Sequence, residues 1–231
     1  MNPTPPGRSR TGTPILAMEA DAVLFDMDGT LVDSIAVDEA IWADFAHRYG
    51  LDADEVLGYT HGRQTLDSVR HFLPDGRDAR SVAADLQARA LTCTDGIVEV
   101  PGAASFLEQL TGMPVAVVTS SPRDMARRRL RAAGLPVSGP LVAAEDVVEG
   151  KPSPEGYRRA ATLLGVDPHH CLAFEDAEAG IRAAVASTAH TVVVGSHASS
   201  ATAGLPRIPD YTAMTVSPAT SGRGARRFRH P

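Results

Sequence analysis

The sequence predicts an α/β domain of the doubly wound kind, a parallel sheet with helices on both faces, interrupted by a helical insertion. Three observations lead there. Five short apolar runs rich in Val or Leu recur along the chain, at Ala22–Asp26, Val115–Thr119, Leu141–Ala144, Leu172–Phe174 and Thr191–Val194. Such runs suit strands buried on both faces. Helix signals alternate with the last four runs, which is the rhythm of a parallel sheet. A long stretch separates the first run from the second, and its residues 35–99 offer helical patterns and no convincing strand.

Taken in order, residues 1–17 are rich in Pro, Gly and polar side chains and are expected to be disordered, with regular structure starting near Ala22. Gly29 permits a tight exit from the first strand. The insertion then reads as helices over Ala36–Tyr49, closed by Gly50, over Arg63–Phe72 before Pro74, and over Asp78–Leu91. Trp42, Phe45 and Tyr49 fall at helical spacing and are expected to pack the insertion. After the second strand, Ser121 is expected as N-cap, with Pro122 in the first turn, Asp124 completing a capping box and Gly134 as the stop. Ser153, Pro154 and Gly165 repeat the pattern around a second helix. Tyr211–Val216 is a possible sixth strand, and residues 217–231 are expected to be a disordered basic tail. The expected organisation is a core of residues 18–34 and 100–216 with a helical cap of residues 35–99.

Composition narrows the function classes. The 231 residues carry a net charge of -6, and their 22 basic side chains are 21 arginines and one lysine, Lys151. Arg8, Arg10, Arg223, Arg226, Arg227 and Arg229 lie in the two tails, leaving 16 basic against 28 acidic residues between them. So acidic a body argues against a nucleic-acid partner. No apolar run approaches the roughly 18–20 residues of a membrane helix, and Glu19 and Asp21 break the only stretch resembling a signal core. Cys93 and Cys171 are too few for a disulfide or zinc framework. The expectation is a cytoplasmic monomer or weak homodimer.

The chemistry lies at the ends of the runs. Asp26-Met27-Asp28-Gly29-Thr30-Leu31-Val32-Asp33 closes the first, and the C-terminal edge of a parallel strand is where open α/β sheets place ligands. Thr119-Ser120 closes the second, Gly150-Lys151-Pro152 follows the third, and Glu175-Asp176-Ala177 closes the fourth. Four such motifs in this order resemble the haloacid dehalogenase superfamily, in its β-phosphoglucomutase-like group, which includes sugar and polyol phosphatases. The resemblance covers about residues 20–195 and implies a Rossmann-like sheet of order 5-4-1-2-3 with a helical cap over the active site.

What it implies agrees with what phosphoryl chemistry requires. Asp26 is the expected nucleophile, forming an aspartyl-phosphate. Asp28 is the expected acid and base, protonating the leaving oxygen and then activating water. Thr119 would hydrogen-bond a phosphoryl oxygen with help from the Ser120 backbone N–H, and Lys151 would supply positive charge. Asp26, Asp28, Glu175 and Asp176 gather four carboxylates around an anionic substrate, so a hard divalent cation, Mg²⁺, is expected. By resemblance its ligands are the Asp26 carboxylate, the Asp28 carbonyl and Asp176, with Glu175 direct or through water. The expected partner is a small phosphorylated metabolite.

Neighbouring chemistries differ by single residues. Asp28 points away from dehalogenation, which lacks this second aspartate. Phosphonatases use a cap lysine, and this cap has none. In the mutase a histidine stands where Asp38 falls here, and its cap lysine is likewise missing. The expected activity is therefore hydrolysis of a sugar or polyol phosphate, with a phosphosugar mutase as the alternative. A non-turnover phosphoacceptor domain is a further alternative, although such domains carry no inserted cap. His61 and Arg63, in His61-Gly62-Arg63, resemble the stretch that reads substrate. Asp33 and Ser34 are candidates for a hinge, a helix cap or a substrate contact.

Overall fold

The computed structural model describes residues 16–135, 138–219 and 224–231. The chain opens with β1 (Leu16–Ala20), β2 (Ala22–Phe25) and β3 (Val32–Asp33), then runs through α1 (Ile35–Tyr49), α2 (Ala53–Thr60), α3 (Thr65–Phe72) and α4 (Ala79–Thr92). It returns through β4 (Val98–Glu99) to α5 (Ala103–Gln109), β5 (Val115–Val118), α6 (Arg123–Ala132) and β6 (Leu141–Val142). The last third holds α7 (Glu155–Leu164), β7 (Cys171–Glu175), α8 (Glu178–Ala186), β8 (His190–Val194), β9 (Arg207–Ile208), β10 (Thr215–Pro218) and β11 (Arg226–His230).

The main sheet has the order β6-β5-β2-β7-β8-β9, with every neighbouring pair parallel. This is the expected 5-4-1-2-3 order, extended at one edge by β9. Side-chain alternation along β2 explains the layers. Val23 and Phe25 join a core with Phe106 of α5 and Ala126 and Leu130 of α6. Ala22 and Leu24 face the opposite side, where Tyr157, Ala160 and Ala161 of α7 and Ala183 and Ala184 of α8 pack. Successive residues of a strand point to opposite faces, so one central strand nucleates both layers.

Several local expectations need correction. The insertion is entered and left through a two-stranded ribbon, Val32 opposite Glu99 and Asp33 opposite Val98, where no strand was expected. A fourth helix, α2, is capped by Asp52, whose side chain accepts from the Glu55 N–H. Pro122, not Ser121, occupies the N-cap position of α6, and no capping box forms. The Arg123 N–H instead finds Glu145 Oε1 at 3.1 Å. The sixth strand of the main sheet is β9 rather than Tyr211–Val216.

The termini differ most. Most of the N-terminal segment expected to be disordered lies outside the described residues, but Leu16 and Ala17 already belong to β1. Within the C-terminal segment, Arg226–His230 is a strand, not a disordered tail. It lies antiparallel between β1 and β10. Phe228 is fully buried there and Arg227 pairs with Glu19 at 2.6 Å, so alternation converts a basic stretch into the central strand of a three-stranded sheet.

The inserted helices have their own core of Ile41, Phe45, Val56, Val69, Ala83 and Leu86, into which Met125 of α6 projects. Phe45 and Tyr49 pack there as expected; Trp42, against the edge of Phe45, also lines the cleft described next. Among the described residues, no helix is long and apolar enough to cross a membrane.

Candidate active site

The C-terminal ends of β2 and β5 open into one cleft between core and cap, lined by Asp26, Asp28 and Thr119 from the core and His61, Arg63 and Trp42 from the cap, and Glu175 and Asp176 at the end of β7 adjoin Asp26. Beyond β2 the chain folds back at once. Three successive N–H groups, of Thr30, Leu31 and Val32, converge on the Met27 carbonyl, and Gly29 takes φ 83°. A Cβ on Gly29 would lie 2.0 Å from Asp176 Oδ2, so the turn needs glycine for both conformation and space.

Asp26 is almost fully buried and accepts from Lys151 Nζ through Oδ1. Lys151 also donates to Glu175 Oε1 at 2.6 Å, and the same oxygen accepts from Tyr157 Oη at 2.8 Å. Burial opposes the charge of Lys151, but Asp26 and Glu175 outweigh it and hold the ammonium protonated well beyond the ordinary lysine range. Burial, with Glu175 next, keeps the Tyr157 phenol protonated. Glu175 Oε2 takes the Asp176 N–H at 3.1 Å and the Ala177 N–H at 3.4 Å. Both its oxygens are therefore engaged by the protein.

Asp176 accepts from Thr30 Oγ1 at 3.0 Å through Oδ1 and meets His61 Nε2 at 3.0 Å through Oδ2. That hydrogen bond pushes the His61 imidazole up to about 9, against the effect of its burial. Oxygens of Asp26, Glu175 and Asp176 lie within 4.8 Å of one another. Burial and then Glu175 push the Asp26 carboxyl well above the ordinary range, and Lys151 offsets this only in part. Three buried carboxyl groups face one ammonium and the His61 imidazole, and hard oxygen donors so spaced fit a divalent cation.

Thr119, at the end of β5, accepts the Ser121 N–H at 3.0 Å and faces the cleft. The Ser120 hydroxyl donates to the Gly62 carbonyl of the cap at 2.8 Å, and Gln64 Nε2 reaches the Ala144 carbonyl at 3.3 Å. Gly62 has φ 75°, and a Cβ there would stand 2.8 Å from that of Ala177. The stretch 61–64 is thus seated directly on the core. Arg63 lies over the Tyr59 ring, 4.5 Å from its centre, which orients the guanidinium beside the cleft.

Asp28 has partners that the sequence reading missed. Its Oδ1 accepts from Ser34 Oγ at 2.8 Å and Arg129 Nη1 at 2.6 Å; its Oδ2 accepts from Ser121 Oγ at 2.8 Å. Ser121 thus serves the site instead of capping α6. Arg129 also holds Asp38 through both terminal nitrogens. Burial raises the Asp38 carboxyl, and Arg129 opposes the rise. Asp33 stays exposed at the hinge, its Oδ1 3.4 Å from the Ile35 N–H. In sequence, Arg129 is one of several arginines in Arg127-Arg128-Arg129-Leu130-Arg131; only its helical phase, one turn after Met125 and Ala126, sets it apart.

A cleft at strand ends beneath an inserted helical cap is the arrangement of the haloacid dehalogenase-like hydrolases, and that family's model matches residues 20–188. The chain belongs to this family. Hexitol phosphatase A of Escherichia coli is 41% identical over 186 residues, covering 78% of this chain and 86% of that protein. A β-phosphoglucomutase of Mycobacterium bovis is 32% identical over 213 residues, covering 75% and 80%. Among solved structures, a hydrolase from Pseudomonas syringae superposes with a TM-score of 0.72 at 25% identity, covering 81% of this chain and 92% of that one.

Proposed function

We propose that the protein is a Mg²⁺-dependent phosphatase that hydrolyses a small sugar or polyol phosphate through an aspartyl-phosphate on Asp26. The protein is a phosphoric monoester hydrolase of the haloacid dehalogenase-like family. The observation that carries the finer reading is the placement of Lys151 between Asp26 and Glu175, with Asp26 lining the same cleft as Asp28.

Lys151 favours the ionised form of Asp26, whose carboxyl lines the cleft, and its ammonium faces the charge that develops on phosphoryl oxygens. Asp26 Oδ attacks phosphorus while Asp28 gives its proton to the departing alcohol oxygen. Water then attacks phosphorus, losing a proton to Asp28, and the bond to Asp26 breaks to release phosphate. Thr119 binds one phosphoryl oxygen, and the seated cap excludes bulk water. Asp26, Asp176 and the Asp28 carbonyl would hold Mg²⁺, which shields substrate charge. Glu175, held by four donors that include Lys151, acts chiefly by orienting that lysine. His61 and Arg63 face the organic part of the substrate.

The mutase alternative has a relative in its favour but lacks two parts: no lysine stands in the cap, and Asp38, tied to Arg129, occupies the place of the histidine. The test is a screen of hexitol, glycerol and sugar phosphates with Mg²⁺ and with EDTA, using wild type and Asp26→Asn. Phosphate release that needs both Mg²⁺ and Asp26 is expected. Release by Asp26→Asn at the wild-type rate, or isomerised phosphate without release, overturns the reading.

A further inference from the structure

We propose that Arg129 is a positioning residue for the Asp28 carboxyl group, and that Asp38 on the first cap helix keeps its guanidinium in place; this rests on the acid/base role proposed above for Asp28. Arg129 is 2% exposed, while Arg127, Arg128 and Arg131 of the same helix are exposed. Its Nη1 reaches Asp28 Oδ1 at 2.6 Å, Ser34 Oγ at 3.2 Å and Asp38 Oδ2 at 2.8 Å, and its Nη2 reaches Asp38 Oδ1 at 2.5 Å. Its Nε has no hydrogen-bond partner among the described residues.

Stability alone accounts poorly for such a residue. A buried cation with an unpartnered N–H costs free energy, and well-packed apolar side chains often replace buried ion pairs without loss. Met125, Ala126 and Leu130 show that apolar side chains fill the adjoining positions. The guanidinium supplies geometry instead. Its terminal nitrogens hold both oxygens of Asp38, and Nη1 remains aimed at Asp28.

The consequence for Asp28 is an inequivalence between its oxygens. Among the described residues, Oδ1 carries two contacts, from Arg129 and Ser34, whereas Oδ2 carries only that of Ser121. Oδ2 is therefore the oxygen with capacity to face the ester. As it gives its proton to the leaving oxygen, the P–O bond breaks, the Asp26–P bond forms, and a carboxylate develops beside Arg129. Asp28 and Arg129 belong to the core and Asp38 to the cap, so the acid is aligned when the cap is seated.

The test is the dependence of kcat/KM on leaving-group pKa across substituted phenyl phosphates, which isolates proton donation from binding. Wild type, Arg129→Met, Arg129→Lys, Asp38→Asn and Asp28→Ala are compared with Mg²⁺ present. A shallow wild-type slope is expected. Arg129→Met should steepen it towards that of Asp28→Ala, with a loss on the order of 10²-fold on unsubstituted phenyl phosphate and much less on an activated ester. Arg129→Lys and Asp38→Asn should lie between. A uniform loss at unchanged slope means a structural role and overturns the inference while leaving the phosphatase reading intact. Absence of hydrolysis in wild type on aryl and alkyl esters alike removes that reading itself. If Arg129→Met does not fold, Asp38→Asn decides: a wild-type slope in that variant also overturns the inference.

Discussion

Lys151 Nζ and Glu175 Oε1 lie 2.6 Å apart in a pocket that buries both, and the same ammonium contacts Asp26. A planar guanidinium is bulkier than an ammonium and demands a different arrangement of acceptors. Lys151→Arg is therefore expected to be nearly as damaging as Lys151→Ala, each lowering kcat on an alkyl phosphate by about 10²–10³-fold. Near-wild-type turnover in the arginine variant would contradict this directly.

The room for Glu175 is made by Gly180, where an added Cβ would fall 1.8 Å from Oε1. Four donors fix that carboxylate, so it has little freedom to retreat. Gly180→Ala should destabilise by about 1–3 kcal/mol, as overpacking does, and reduce activity by moving Lys151. Gly58, inside α2 with open space around it, is the control: Gly58→Ala should gain roughly 0.5–1 kcal/mol. Thermal unfolding of the two variants in opposite directions is the outcome sought.

What was legible in the sequence and what was not divide along the same line. Strand ends and motif residues announce themselves locally: an apolar run, then Asp26, Thr119 or Glu175. The expected sheet order, family and cleft residues rest on such signals. Tyr157 and Arg129 act through partners 18 and 101 positions away, and nothing adjacent in sequence marks them; Thr30 stands inside the first motif, but its partner is 146 positions away. Arg226–His230 misled for another reason. Its charge suggested a solvated tail, whereas the alternation that buries Phe228 and His230 becomes informative only once β1 supplies a pairing edge.

Thr30 provides a test of the proposed metal site. Its hydroxyl donates to Asp176 Oδ1 at 3.0 Å and so orients a carboxylate expected to ligate Mg²⁺. Loss of such a supporting contact typically weakens metal affinity by about 10–100-fold. Thr30→Val should therefore raise the Mg²⁺ concentration for half-maximal activity by about that factor while leaving the rate at saturating metal much closer to wild type. EDTA should abolish activity in both proteins, and Mg²⁺ should restore it. A metal requirement identical to wild type in Thr30→Val would detach Asp176 from the metal.

The cap contact at Gly62 should govern access to the cleft. Ser120 Oγ holds the Gly62 carbonyl at 2.8 Å, and Gly62 passes Ala177 with no space for a side chain. At φ 75°, an alanine would also be strained there. Gly62→Ala should lift residues 61–64 from the core, raising KM and lowering kcat together because His61, Arg63 and the water barrier are displaced at once. Ser120→Ala removes one hydrogen bond without steric conflict, and a single neutral bond contributes about 0.5–1.5 kcal/mol. Its effect should be at most about tenfold. Equal, small effects from both variants would indicate that seating of this stretch does not limit turnover.

Phe228 offers the last test, because it separates packing from charge in the C-terminal strand. Its ring is fully buried against the edge of Phe106, with 6.3 Å between ring centres, in the cluster that also contains Phe25 and Phe174. Phe25 and Phe174 immediately precede Asp26 and Glu175, so this packing supports the floor of the active site. Phe228→Ala is expected to cost about 3–5 kcal/mol, seen as an earlier denaturation midpoint. Arg229 is exposed on the same strand, and Arg229→Ala should change stability by no more than about 0.5 kcal/mol. If the basic character of the strand were what stabilised it, the order of these effects would reverse. Retained kcat in folded Phe228→Ala at low temperature would place the contribution of β11 in stability, whereas a lowered kcat would show that the aromatic cluster also sets the position of Asp26.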